Sequence, residues 1–261
     1  MSIKKRRILK FSGNFAIIKN IERIDDLQFG GLKIIQETEG FCFGIDSVIL
    51  AHFAYQFIKP NKIIADLGSG NGVLSLLLSK KVNPKEIVAF EKQPTIAEMA
   101  TRSVSLNHLE NIIQVKNVDI CDLKNEQYVK KFDVIITNPP YKKEATGINS
   151  KNDMRQIARF ETTADIDKWF QISNYILKDT GSIYMCYRPE RLTEAFSAMR
   201  KNNFEPKEIR FVHSKLESES KLVLIRATKN GNAFLKILKP LIIYKDDGSY
   251  SEEILEYYKE D

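Results

Sequence analysis

Between residues 62 and 227 the apolar positions follow two alternating rhythms. Short, almost unbroken apolar runs, "KIIADLG" (62–68), "EIVAFE" (86–91), "NIIQVKNVD" (111–119), "FDVIIT" (132–137) and "SIYMCYR" (182–188), have the length and composition of strands. Between them lie segments with apolar residues three and four apart: "GVLSLLLSKK" (72–81), "PTIAEMATRSVSLNHL" (94–109), "DIDKWFQISNYILK" (165–178) and "PERLTEAFSAMRKNN" (189–203). These read as helices, and the proline opening the second sits at the preferred first helical position. A short polar helix is expected between the third and fourth strands. Two last strands follow, around residues 209–213 and 222–227. The loop between them, "SKLESES" (214–220), is too short to hold a crossover helix, so this pair must be antiparallel.

Strands alternating with helices require a mostly parallel sheet with helices on both faces. The predicted class is therefore α/β: a Rossmann-like, seven-stranded, mostly parallel sheet with a terminal antiparallel hairpin. Upstream, "NFAIIKNI" and "GGLKIIQE" read as strands, and residues 40–58 as a turn and a helix. The tail beyond residue 229 reads as a short strand and a helix. Three segments are expected: a basic, strand-containing N-terminal extension (1–40), the main domain (41–228), and a C-terminal extension packed on it (229–261).

Composition adds little until charge is placed along the chain. The 261 residues carry a net charge of +6. Lys4, Lys5, Arg6, Arg7 and Lys10 cluster near the start, and Lys142, Lys143, Lys151, Arg155 and Arg159 follow "TNPPY" (137–141). Such clusters suit phosphate contact as well as a solvated face. No apolar stretch is long enough to span a bilayer, and the basic N-terminus lacks the apolar core of a signal peptide. The 3 cysteines, Cys42, Cys121 and Cys186, and the 3 histidines are scattered, without metal-ligand spacing. Reduced thiols, a cytoplasmic location, no metal, no membrane association and no obligatory protein partner are the expectations.

Parallel sheets bind ligands at the carboxyl ends of their strands. The first end reads "DLGSGNG": Asp66 closes the strand, and Gly68, Ser69, Gly70, Asn71 and Gly72 form a turn able to approach a ligand closely. Its G-x-G-x-G spacing differs from the dinucleotide fingerprint, and the chain has no G-x-x-x-x-G-K-[ST] phosphate loop. The second end, Glu91 in "FEKQP", can accept both hydroxyls of a ribose. The third, "NVDICD", offers Asp119 to an adenine amine and Ile120 to the ring face. Each acid alone would read as a helix cap or a solvated loop end. In this order they describe a pocket for an adenosine-containing ligand without a pyrophosphate.

The motifs "DLGSGNG", "FEKQP", "NVDICD" and "NPPY", in this order, resemble those of class I S-adenosylmethionine-dependent methyltransferases. More closely, "GFCFGIDSVILAHFA" and "YKDDGSYSEEI" resemble the bacterial tRNA(Val) adenine N6-methyltransferase family, which methylates the adenine beside the anticodon. The resemblance implies S-adenosyl-L-methionine as methyl donor, S-adenosyl-L-homocysteine as product and tRNA as partner. It implies that Asp66 and the glycine turn (68–72) wrap the methionine part of the cofactor. Glu91 would hold its ribose and Asp119 its adenine, with Ile120 on the ring, Lys92 and Asn138 also among the cofactor-binding residues, and Asp46 of "GID" near its amino-acid end.

"TNPPY" ends an apolar strand on two prolines, which cannot continue a ladder. The chemistry of an amine acceptor gives those residues work. The lone pair of an exocyclic base amine is delocalised into the ring, and two acceptors aimed at its hydrogens favour a pyramidal, nucleophilic nitrogen. The Asn138 side-chain oxygen and the Pro139 carbonyl are such acceptors, and Pro139 and Pro140 preorganise them. Tyr141 can stack on a base withdrawn from its helix or loop. Lys142, Lys143, Arg155 and Arg159 are expected to contact phosphate. No general base is required, since the surplus proton can leave after transfer.

The motif serves adenine N6, guanine N2 and protein glutamine alike, all planar conjugated NH2 groups. A release-factor glutamine methyltransferase would carry a substantial helical domain before the cofactor domain, and here the preceding residues are few and strand-like. A ribosomal RNA guanine methyltransferase stays open, although tyrosine rather than phenylalanine after the prolines leans against it. A DNA adenine methyltransferase would need a larger recognition region than the tail supplies. A non-catalytic RNA-binding module would have no use for the intact glycine turn, acids and "NPPY". The expected activity is methyl transfer to adenine N6 in tRNA, at position 37 of tRNA(Val).

Overall fold

The computed structural model describes residues 6–11, 14–19, 22–38, 43–139 and 166–259. The chain forms two compact units, Met1–Asp119 with Glu252–Asp261, and Ile120–Ser251.

The first unit opens with two antiparallel hairpins, β1 (Arg6–Phe11) with β2 (Asn14–Lys19) and β3 (Glu22–Asp26) with β4 (Lys33–Glu37). Helix α1 (Ile45–Tyr55) precedes a β–α–β–α–β run: β5 (Ile63–Leu67), α2 (Val73–Lys81), β6 (Glu86–Glu91), α3 (Pro94–Leu106) and β7 (Ile113–Asn117). β5, β6 and β7 pair in parallel, with Leu67 opposite Phe90 and Glu91 opposite Asn117. Ile64, Ala65, Ile87, Val88, Ala89 and Phe90 are fully buried, as helix-covered parallel strands require.

The β3–β4 hairpin is fastened to α3. The Lys33 amide donates to Asn107 Oδ1 (2.8 Å) and the Ile35 amide to Ser103 Oγ (3.0 Å), so side chains satisfy two ladder groups of β4. Arg102 of α3 forks onto Glu22 of β3 at 2.9 and 2.7 Å. The C-terminal helix α6 (Glu252–Glu256) belongs to the same unit. Beyond it, the Tyr257 ring stacks on His52 of α1 at 3.9 Å, and His52 Nε2 lies 2.9 Å from the Tyr257 carbonyl. Burial and the nearby Lys81 charge lower the His52 pKa to about 4, against weaker opposing effects of the Tyr257 carbonyl and Glu253.

The second unit begins with two 3-10 turns, Ile120–Leu123 and Glu126–Tyr128, in place of the expected polar helix. Then come β8 (Phe132–Thr137), α4 (Ile166–Ile176), β9 (Leu177–Tyr187), α5 (Leu192–Lys201), β10 (Phe204–His213) and β11 (Ser220–Lys229). β8 and β9 are parallel, while β11 runs antiparallel to both β9 and β10. The terminal antiparallel hairpin is thus present, and its strands are longer than their apolar cores suggest. Gly181 sits in β9 where a Cβ would fall 2.6 Å from Leu177 Cγ and 2.9 Å from the Asp133 carbonyl, so no larger residue fits. Buried Lys229 donates to the carbonyls of Asn174 and Leu177 at 2.7 and 2.9 Å, capping the end of α4.

The strand count exceeds the seven expected. All seven predicted strands form, and two further strands of 2 residues each, β12 (Lys236–Ile237) and β13 (Leu241–Ile242), pair in parallel with β10. Pro240 lies between them and cannot donate to a ladder, which keeps each piece short.

Candidate active site

The predicted cofactor residues of the first unit gather where β5 and β6 end. Gly68, Gly70 and Gly72 all have positive φ, at 67°, 56° and 87°. Gly70 also faces open space, with nothing within 4 Å of where a Cβ would stand, so the backbone there can be approached closely. The turn is closed by Gly72 N donating to the Ser69 carbonyl (3.0 Å) and Ser69 N to the Phe90 carbonyl (3.0 Å).

Glu91 clamps this turn. Its Oε2 accepts from the Gly70 amide at 2.9 Å and its Oε1 from the Gln93 amide at 2.8 Å. The residue is 7% exposed, and each carboxylate oxygen keeps further acceptor capacity. Beyond it, Lys92 Nζ pairs with Asp119 Oδ2 at 3.0 Å. Asn117 Nδ2 donates to the carbonyls of Glu91 and Lys92, both at 2.9 Å, binding the ends of β6 and β7 together. Asp46 lies in the first turn of α1, where a helix N-terminus favours a carboxylate.

Asp66 is the most perturbed acid of the turn. It is completely buried, and burial raises its pKa to about 7 against the lowering hydrogen bond from Ser75 Oγ at 2.7 Å. Its other oxygen, Oδ1, and the Ser69 hydroxyl are buried without a hydrogen-bond partner among the described residues. Unsatisfied acceptors beside an open glycine turn, with an adjacent clamped carboxylate, fit a ligand that carries both a cationic group and ribose hydroxyls. The residues present therefore fit S-adenosylmethionine.

In the second unit, Asn138 follows β8 and is half-buried, and Pro139 is buried. The Cys186 thiol of β9 donates to Asn138 Oδ1 at 2.9 Å. Parallel pairing of Thr137 with Met185 sets the strands so that these next residues meet. One lone pair of the Asn138 oxygen is thereby used and one is left over. Ile120 is 8% exposed at the start of its 3-10 turn. Pro140, Tyr141, Lys142, Lys143, Lys151, Arg155 and Arg159 lie outside the described residues, as do Lys4, Lys5 and Cys42.

Sequence reasoning does not single out Gln36, Asp25, Ser75 or Cys186. Two of them leave a trace: Gln36 ends the short apolar run of β4, and Ser75 stands among the leucines of α2. Asp25 lies in a mixed polar strand, and Cys186 reads as core packing.

Comparison with known proteins bears on both units. Residues 46–159 match the family described as "Methyltransferase small domain". A Haemophilus influenzae (strain 86-028NP) protein named "tRNA1(Val) (adenine(37)-N6)-methyltransferase" is 26% identical over 238 residues, 89% of this chain and 96% of the relative. A Flavobacterium johnsoniae protein of the same name is 25% identical over 235 residues, 89% and 97% of the two chains. The chain is also similar in fold to a predicted O-methyltransferase from Agrobacterium tumefaciens (TM-score 0.65, 20% identity, 82% of this chain and 95% of that one). M. jannaschii TYW2 in complex with AdoMet is a further fold neighbour (TM-score 0.54, 18% identity, 82% and 89%).

Proposed function

We propose that this chain is an S-adenosylmethionine-dependent tRNA methyltransferase acting on adenine N6, at position 37 of tRNA(Val). The observation that carries the reading is the near-full-length similarity to relatives that share that name, at 89% of this chain and 96% of the relative. The glycine turn with its clamped Glu91 and the acceptor oxygen of Asn138 supply chemistry that fits it.

The bound cofactor supplies an electrophilic methyl group on a sulfonium. Asp66, Gly68, Ser69, Gly70, Asn71, Gly72 and Asp46 are assigned to its amino-acid end, Glu91 and Lys92 to the ribose, and Asp119 and Ile120 to the adenine. Glu91 also braces the turn through the Gly70 amide, beside its assigned role at the ribose. Asn138 and the Pro139 carbonyl accept from the target NH2 and hold its lone pair available. Tyr141 stacks on the withdrawn base. Lys142, Lys143, Arg155 and Arg159 neutralise tRNA phosphates. Attack on a sulfonium methyl is governed by positioning, so the proton leaves after transfer and no side chain is assigned as base. We assign the methyltransferase domain to residues 41–228, flanked by the two extensions.

The test is methylation of unmodified tRNA with labelled cofactor, followed by nucleoside mass spectrometry and mapping. N6-methyladenosine at position 37 of tRNA(Val) is expected. A product confined to guanine N2, or to a protein glutamine, would overturn the assignment.

A further inference from the structure

The glycine turn is held from outside the parallel strands by one buried amide. Gln36 of β4 is 1% exposed and makes three hydrogen bonds through its side chain. Its Oε1 accepts from the Phe43 amide at 2.8 Å and from Asn71 Nδ2 at 3.0 Å, and its Nε2 donates to Asp25 Oδ2 at 2.6 Å.

Donor and acceptor chemistry leaves one arrangement of these groups. The Phe43 backbone N–H can only donate, so the end of Gln36 that meets it must be oxygen. The opposite end is then NH2, which the Asp25 carboxylate accepts. With both lone pairs of the Gln36 oxygen engaged by donors, the end of Asn71 facing it must be its NH2. The Asn71 oxygen is therefore turned away from Gln36. It makes no hydrogen bond among the described residues, although Asn71 is only 4% exposed. Asn71 lies between Gly70 and Gly72, in the turn that holds Ser69 and follows Asp66 of β5, whose Oγ and Oδ1 respectively are buried and have no hydrogen-bond partner among the described residues. The unpartnered carbonyl oxygen of a nearly buried residue, in a turn already holding unsatisfied acceptors, suits a cationic amine.

We propose that the β3–β4 hairpin is part of the cofactor site, with Gln36, anchored by Asp25, as the positioning residue that turns the Asn71 oxygen toward the ammonium group at the amino-acid end of the cofactor. An Asn71 left unheld could present its NH2 instead, setting donor against donor. The same Gln36 oxygen also pins the chain entering α1, whose first turn carries Asp46. The inference rests on the cofactor reading above and adds to it a selectivity for the amino-acid end.

The test uses the full chain and two ligands, S-adenosylhomocysteine and 5′-methylthioadenosine, which lacks the amino-acid end. Calorimetry should show Gln36→Leu weakening S-adenosylhomocysteine roughly tenfold while methylthioadenosine binds as before. Gln36→Glu, which sets two carboxylates face to face, should lose at least as much. The Asp25→Asn/Gln36→Glu pair should recover to within about twofold of wild type, because an amide at position 25 can donate to the new carboxylate. The double variant also separates a failure to fold from a failure to position. Equal loss for both ligands, no loss for either, or no recovery in the pair would overturn the role of Gln36. Wild-type protein that binds methylthioadenosine but not S-adenosylhomocysteine would overturn it too. Wild-type protein that binds neither ligand would instead overturn the cofactor reading, and the inference with it.

Discussion

The turn after β5 and the Asn-Pro stretch after β8 both end a buried parallel strand on polar residues, yet they are held in different ways. Charged, hydroxyl and amide groups brace the glycine turn and the strand end before it: Glu91 through the Gly70 amide, Ser75 through Asp66, Gln36 through Asn71. Asn138 is held by a thiol. The difference suits the two proposed tasks, cofactor binding at the turn and amine acceptance at Asn138. A turn that must stay shaped around a flexible cofactor gains from charge-assisted bonds, which are about twice as strong as neutral ones. An acceptor that must keep electron density for a substrate amine is better oriented by a weak donor, and S–H is among the weakest a side chain offers.

The largest expected effect separates the two regions directly. In Asn138→Ala, methyl transfer should fall roughly a thousandfold, on the scale of losing a preorganised polar group, while cofactor affinity stays within about twofold. Single-turnover rates with calorimetry check both, and near-normal turnover would remove Asn138 from the chemistry. Glu91→Ala should do the reverse, weakening cofactor binding roughly thirtyfold to a hundredfold as a charge-assisted brace disappears. Unchanged calorimetric affinity would take it out of the pocket.

Asp66 offers a pH test of the turn. Its folded-state pKa of about 7 exceeds the ordinary value of 3.8. The folded state therefore binds more protons than the unfolded chain between these values. The resulting stability is fully present below about pH 3.8 and is lost as pH rises through about 7. Asp66→Asn should remove that slope, a difference on the order of a few kcal/mol across the window. Denaturant titrations between about pH 4 and 8 measure it, and parallel wild-type and variant curves would show that Asp66 titrates normally. His52, lowered to about 4 from 6.5, runs the other way: its contribution is present above pH 6.5 and is lost as pH falls through about 4.

Smaller effects probe the thiol. Cys186→Ala should lower the methyl-transfer rate roughly fivefold, the worth of one neutral hydrogen bond, with Cys186→Ser restoring it and cofactor affinity unchanged in both. Equal rates in the alanine and serine variants would make the thiol a packing group. Charge reversal at Arg155 and Arg159 should weaken tRNA binding and flatten its salt dependence by about one unit for each phosphate no longer neutralised. An unaltered slope would assign those charges to the solvated face.

Much of the fold is legible along the chain because it depends on local periodicity. The strands expected over 86–91 and 132–137 form at those bounds, as Glu86–Glu91 and Phe132–Thr137. The helix expected over 94–109 ends at Leu106, where Asn107 turns its amide onto Ser103 and Lys33. The candidate residues are legible wherever they follow a strand, since the carboxyl end of a parallel strand is a position that sequence order marks. Gln36 and Cys186 carry no such mark. Each matters only through a partner on another element.

Short-range chemistry along the chain sets the alternation of strand and helix, the antiparallel last pair and the order of polar residues at the strand ends. These follow from side-chain period, proline and glycine chemistry, and loop length, all of which act over a few residues. Packing at long range was needed to bring Gln36 across 35 positions to Asn71, Cys186 across 48 positions to Asn138, and Tyr257 onto His52, 205 positions away. A buried polar group must find a partner, but which partner depends on where the packing of apolar faces brings distant elements together.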